Sequence, residues 1–267
     1  MKFKNYLLVF GLAVAVGFSS CKKDNDDDNT TSKPAPKVEM SSNSNGEVIS
    51  IPANVSTNIQ NDQNLYQLSG AVSNINAVGS FLTALNSVPE NAEVTNRSTN
   101  SSVTYHWTYN FEGGSYEYWY TVEESGVNYN LTYEIAVNSE DLTIPRTTYI
   151  EGWVSQTPGN GHLQFNFDAF TSGTTNYNYV YEWDTNSIGT FHLTVDWNVD
   201  DSQYGYYAGM HYVAYVYADG SGQVDYSYTD QNTAYLYHYD WNADWSIIHW
   251  SYSINGTQEG SGTWPEA

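Results

Sequence analysis

Residues 191–197 read Phe191-His192-Leu193-Thr194-Val195-Asp196-Trp197, with apolar and polar side chains in strict alternation. Successive side chains of an extended backbone point to opposite sides, so this period of two predicts a strand with one dry face and one wet face. The same period recurs outward in both directions. Tyr105, Trp107, Tyr109 and Phe111 alternate with polar residues, as do Tyr129, Leu131, Tyr133 and Ile135, then Leu163, Phe165 and Phe167, and finally Tyr235, Tyr237, Tyr239 and Trp241. Turn residues punctuate the runs at Glu112-Gly113-Gly114, Pro158-Gly159-Asn160-Gly161, Asp219-Gly220-Ser221-Gly222 and Asn255-Gly256. Gly260-Ser261-Gly262 reads as a further turn. From Ser102 to Trp264 the spacing predicts about 11 or 12 strands. Connections this short leave no room for crossover helices. The expected fold is therefore mainly β, an antiparallel up-and-down meander.

One segment breaks the period. Between residues 63 and 86 the apolar side chains fall at Leu65, Leu68, Val72, Ile75, Val78, Leu82 and Leu85, spacings of three and four that predict one amphipathic helix. Asn61 or Asp62 can cap its start, and Pro89 lies just past its end. Gly70 and Gly79 weaken its intrinsic propensity, so it needs a sheet to pack on. About 22 helical residues span about 33 Å, and about nine strand residues span about 30 Å. One helix could thus lie along the concave side of the sheet. The expectation is a curved half-barrel or barrel holding the N-terminal helix, because a barrel this wide is not filled by its own side chains. A helix followed by a long meander on an exported chain resembles the superfamily of periplasmic lipoprotein carriers and their outer-membrane receptors. That resemblance implies a cavity for acyl chains.

The start of the chain carries an address. Lys2 and Lys4 precede the apolar run Tyr6–Phe18, followed by Ser19, Ser20 and Cys21, the only cysteine. This is the pattern of a secretory signal peptide, and a run of 13 residues is shorter than the roughly 20 that a spanning helix needs. Cys21 after small residues resembles the lipobox of a bacterial lipoprotein, which implies cleavage after residue 20 and acylation of the Cys21 sulfur, with palmitate as a metabolic label. Lys22-Lys23-Asp24-Asn25-Asp26-Asp27-Asp28 resembles the acidic export signal of Bacteroidota lipoproteins. That implies a lipid anchor in the outer membrane with the body on the cell surface; the alternative is a periplasm-facing anchor. Residues 21–48 read as a flexible acidic stalk, too poor in apolar side chains to fold. Residues 49–267 read as a single domain.

Charge narrows the partners. From Val38 onward the chain has two basic residues, Arg97 and Arg146, against 26 carboxylates. Nucleic acid is excluded as a partner on that balance, because phosphate binding needs Lys and Arg. Docking on anionic headgroups is disfavoured for the same reason, so the membrane is reached through the N-terminal lipid.

Three stretches share acid-Trp-(Asp/Asn)-x-(Asp/Asn): Glu182 to Asn186, Asp196 to Asp200 and Asp240 to Asp244. Asp196, Asn198 and Asp200, and likewise Asp240, Asn242 and Asp244, have the spacing that opens an EF-hand loop, which makes calcium the candidate cofactor. The rest of that loop is missing: Asp201 and Trp245 replace its glycine, and Tyr207 and Ser251 replace its glutamate. Turn chemistry is the competing reading of all six side chains. Trp119, between Glu117 and Thr121, sits on what should be a wet face, and Trp250 shares a face with Ile248 and Tyr252. Aromatic rings beside carboxylates are what a sugar-binding surface uses, so Trp119, Glu117 and Trp250 are the candidate ligand residues. The six histidines show no zinc spacing, and no G-x-S-x-G motif is present. Glu117, Glu123, Glu134 and Glu182 are candidates for a glycosidase pair only because acids are plentiful. The reading preferred from sequence is a lipid-anchored binding or structural protein that takes a glycan on its sheet. A carrier of a hydrophobic ligand comes second and a glycoside hydrolase third.

Overall fold

The computed structural model describes residues 49–85, 88–99, 102–140, 142–157, 159–166, 175–185, 191–201 and 206–265. Cys21 and the stalk lie outside these residues. Two helices come first, α1 (Ala53–Asn61) and α2 (Tyr66–Leu85). Thirteen strands follow: β1 (Glu93–Thr99), β2 (Ser102–Phe111), β3 (Gly114–Ser125), β4 (Asn128–Ser139), β5 (Thr143–Ser155), β6 (Gly161–Phe165), β7 (Thr175–Thr185), β8 (Phe191–Asp201), β9 (Tyr206–Val216), β10 (Gly222–Asp230), β11 (Thr233–Trp241), β12 (Ile248–Ile254) and β13 (Thr257–Trp264).

Every strand pairs antiparallel with its chain neighbours, in the order β1 to β13 without a crossover. The meander is thus observed, and the barrel is not. Among the described residues β1 pairs only with β2 and β13 only with β12, so the sheet is not closed and the expectation of a barrel or half-barrel is overturned. Closure needs a regular ladder between the first and last strands. β1 cannot offer one, because its pairing slips between Val94 and Asn96 and again between Asn96 and Thr99. The strand count exceeds the expected one partly because Glu93–Thr99 is a strand without apolar alternation. Gly260-Ser261-Gly262 is not a turn but the middle of β13.

The helix expected over residues 63–86 is α2, and a second helix that the sequence reading did not expect, α1, precedes it. Asp62 separates them. Its backbone is extended, with ψ 125°, while its N–H still donates to the carbonyl oxygens of Asn58 and Ile59. Its Oδ1 then accepts from the N–H groups of Asn64 (2.8 Å) and Leu65 (3.2 Å) and starts α2. Leu65, Leu68, Val72 and Ile75 are buried as their spacing requires, together with Ala71. Val78, Leu82 and Leu85 lie outside the described side chains. Helix α1 contributes Val55 and Ile59 to the same core. The Tyr239 hydroxyl on β11 donates to the Asn64 carbonyl at 3.1 Å and ties the start of α2 to the sheet. Asn76, in the middle of α2, holds both backbone groups of Ile49: the Ile49 N–H donates to Asn76 Oδ1 (2.9 Å), and Asn76 Nδ2 donates to the Ile49 carbonyl (2.7 Å). Among the described residues no helix is long and apolar enough to cross a membrane.

One face of the sheet is the core. On β4, Leu131, Tyr133, Ile135 and Val137 are all buried, and Asn130, Thr132 and Glu134 point the other way. Directly opposed residues share a face, so the register carries this division across all the strands. Many core-face residues are tyrosines. Burial pushes the Tyr133 and Tyr181 phenols well above their usual range and raises Tyr179 to about 12, so all three are neutral core members near neutral pH.

Candidate functional site

The two faces of the sheet are organised differently. On the core face a pattern of flat rings over glycines recurs. Trp183 stands opposite Gly161, Trp241 opposite Gly222, Trp250 opposite Gly262 and Tyr252 opposite Gly260. A Cβ on these glycines would meet the ring: 2.2 Å from Trp183 at Gly161, 2.5 Å from Trp241 at Gly222, and 2.9 Å from Trp250 at Gly262. Each ring therefore leans across its neighbouring strand and fills the space that the glycine leaves. Trp183 and Trp241 are buried in the interior of the sheet. Trp250 and Tyr252 are half-buried, since β13 is the last strand.

The edge rings form a platform. Trp250 and Tyr252 are 6.4 Å apart between centroids and 17° from parallel. The row continues inward through Tyr237, 6.0 Å from Tyr252, and Tyr226, 5.6 Å from Tyr237, to Tyr212, 4.7 Å from Tyr226. The interior rings cover one another's faces. Trp250 and Tyr252 instead rest one side against glycine backbone. Tyr237 covers the β11 side of Tyr252 and Tyr239 stands opposite Trp250, so what a ligand could reach is the half-exposed part of the two rings over β13.

Trp119 is on the other, polar face, and its ring is engaged. His106 stacks on it at 4.9 Å and 19°, and the Arg146 guanidinium sits 4.5 Å from its centroid. Arg146 Nε also donates to Glu134 Oε1 at 3.0 Å, and Arg146 Nη2 bonds Glu134 Oε2. Glu117 lies 3.4 Å from His106 Nε2. Trp119 is thus a packing centre for Arg146. Strands β3 and β12 are nine strand spacings apart, roughly 43 Å along the sheet, so Trp119 and Glu117 do not share a site with Trp250. Arg146→Ala should cost about 1 kcal/mol or less, as exposed ion pairs and cation–π contacts do. The same variant should red-shift Trp fluorescence, and unchanged emission would show that Arg146 does not cover the ring.

The histidines are all on the polar face, most of them paired with acids across strands. His162 Nδ1 lies 2.7 Å from Glu182, His192 Nδ1 3.1 Å from Asp184, His211 Nδ1 2.6 Å from Asp196 and His238 Nδ1 2.7 Å from Asp225. His249 Nδ1 is 2.9 Å from the Thr263 hydroxyl. Sequence reasoning missed these pairs, because acid and histidine meet only through the register of adjacent strands.

The six calcium candidates are distributed between β8 and the end of β11, three strand spacings or roughly 14 Å apart. Asp196 pairs with His211, and Asp240 lies 3.6 Å from His238 Nε2. Asp200 is exposed opposite Tyr207, and Asn198 stands opposite Gly209 on the same face of β8. Asn242 and Asp244 build the β11–β12 turn. Asn242 Oδ1 accepts from the Ile247 N–H (3.0 Å), Asn242 Nδ2 donates to Ser246 Oγ (2.9 Å), and Asp244 Oδ1 accepts from the Ser246 N–H (3.1 Å). Those Ser246 bonds hold the Asp244 carboxyl below the usual range. Among the described residues no three His, Cys, Asp or Glu side chains converge to hold one ion. The repeated acid-Trp-Asn pattern has a structural explanation in the β11 copy: Asp240 meets a histidine, Trp241 covers a glycine, and the Asn closes a turn. Of the glycosidase candidates, Glu117, Glu134 and Glu182 each face a His or Arg partner. No protein-family model, curated protein or solved structure matches the chain.

Proposed function

We propose that this chain is a lipid-anchored envelope protein whose β12–β13 platform binds a neutral glycan. The observation that carries the reading is the pair Trp250 and Tyr252, laid near-parallel over Gly262 and Gly260 and half-exposed at the sheet edge. The glycines hold the rings flat before any ligand arrives, so little side-chain freedom is lost on binding. The C–H face of a pyranose packs on such rings, and Tyr237 is the nearest phenol in the row, stacked beside Tyr252. The formal net charge of −22 selects against uronic or sulfated chains, which the whole field repels. Cys21 would supply the tether.

The test is a glycan array, then calorimetry, with the full chain carrying Cys21→Ser so that it stays unlipidated. Trp250→Ala should weaken binding roughly tenfold or more, equivalent to about 1.4 kcal/mol. Trp119→Ala should leave binding unchanged. Equal affinity of wild type and Trp250→Ala would remove the platform from the function.

A further inference from the structure

Among the described residues the last strand, β13, has a partner on one side only. Its outward N–H and C=O groups are a template for one more strand. The template is fenced at both ends. On one side the β12–β13 register slips between Tyr252 and Ser253, which leaves Glu259 without an opposite residue. On the other side Pro265 has no N–H to donate. Between these limits the ladder from Gly260 to Trp264 is regular, opposite Tyr252 to Ile248. This window contains no charged residue and no proline, the usual means of blunting an edge. The opposite edge, β1, is broken by its two register slips.

We propose that a second copy of this chain occupies the window, β13 against β13, about a two-fold axis through Gly262. The window is symmetric about that residue. An antiparallel pairing centred on it sets Ser261 opposite Thr263 of the partner subunit, and Thr263 opposite Ser261 of the partner subunit, both on the polar face, where hydroxyl pairs are favourable. It sets Gly260, whose core-face space Tyr252 already fills, opposite Trp264 of the partner subunit, so the partner ring extends the aromatic row beside Tyr252. Glu259 falls outside the ladder, so no like charges face each other. A contact of β13 with β1 of another copy would be head-to-tail and would grow a filament; the slips in β1 disfavour it. The two-fold arrangement closes after two copies and brings both Trp250–Tyr252 platforms to one continuous surface. The assembly does not depend on what those platforms bind.

Sedimentation velocity on the full chain with Cys21→Ser tests the proposal. The expected species is a dimer. Two double variants then read the register, at positions that are exposed in the single chain. Ser261→Lys with Thr263→Lys sets like charges opposite each other twice and should give monomer. Ser261→Lys with Thr263→Glu sets opposite charges there and should remain a dimer. Far-UV circular dichroism confirms that both variants keep the sheet. A monomeric parent chain would overturn the proposal, and so would two variants that behave alike.

Discussion

Replacing Gly152 with alanine should destabilise the protein by about 3 kcal/mol, the upper part of the range for forcing atoms into a packed site. For a domain of this size that lowers the melting temperature by roughly 6 to 12 °C. Gly152 lies on β5 between Leu131 of β4 and Leu163 of β6. A Cβ there would stand 2.0 Å from the His162 carbonyl oxygen and 2.9 Å from the Leu163 Cα. Both obstacles are backbone. No side-chain rotation relieves them, so β6 must move away from β5. Strand β6 has five residues and links the first five strands to the rest of the sheet. Gly126→Ala is the control, because Gly126 has a positive φ of 63° and open space around it. Its cost should be about 1 kcal/mol, from the left-handed conformation alone. Thermal scans that place the two variants together would show that the close approach of β6 is not what requires glycine at 152.

The second large effect is expected at Leu68. This side chain is fully buried at 0 % exposure, on the face of α2 that carries Val72 and Ile75, next to Leu65 just before the helix. Leu68→Ala should cost about 3 kcal/mol, from the lost transfer energy and the cavity left behind. The helix has little stability of its own, with Ser69 and Gly70 in its second turn. Loosening its packing should therefore loosen the whole element. Urea titration should show a lower midpoint with the same slope if helix and sheet melt as one unit. Leu236→Ala, at a side chain 48 % exposed on β11, should change the midpoint little. A separate early transition in the Leu68 variant would show that the helices melt independently of the sheet.

The strands and their order were legible because alternation depends only on backbone direction. Turn residues such as Asn255-Gly256 marked the hairpins for the same local reason. Openness was not legible: whether β1 meets β13 depends on register slips that no local pattern records. β1 itself, Glu93–Thr99, carries no apolar period because it borders the sheet. At the candidate site Trp250 was found from its face, but its support was misread. Gly260 and Gly262 resemble a turn when read along the chain. Only the register with β12 shows them as the space into which Trp250 and Tyr252 lean. Trp119 was placed correctly on the polar face, yet Arg146, 27 residues later, occupies the ring that seemed free. The calcium candidates were chosen by spacing along one strand, while their hydrogen-bond partners come from adjacent strands and from within a turn.

The Asn76 clamp on Ile49 has a mechanical meaning. Ile49 is the first described residue, and a side-chain amide in the middle of a helix holds both of its backbone groups. A pull applied at Ile49 loads these two hydrogen bonds and its buried side chain before it reaches any strand. Force then passes into α2 and its apolar contacts, while the thirteen-stranded ladder stays off the line of tension. A molecule pulled there yields first at the Ile49–Asn76 clamp. The sheet, with its platform, would keep its shape under loads that peel the leading residues away.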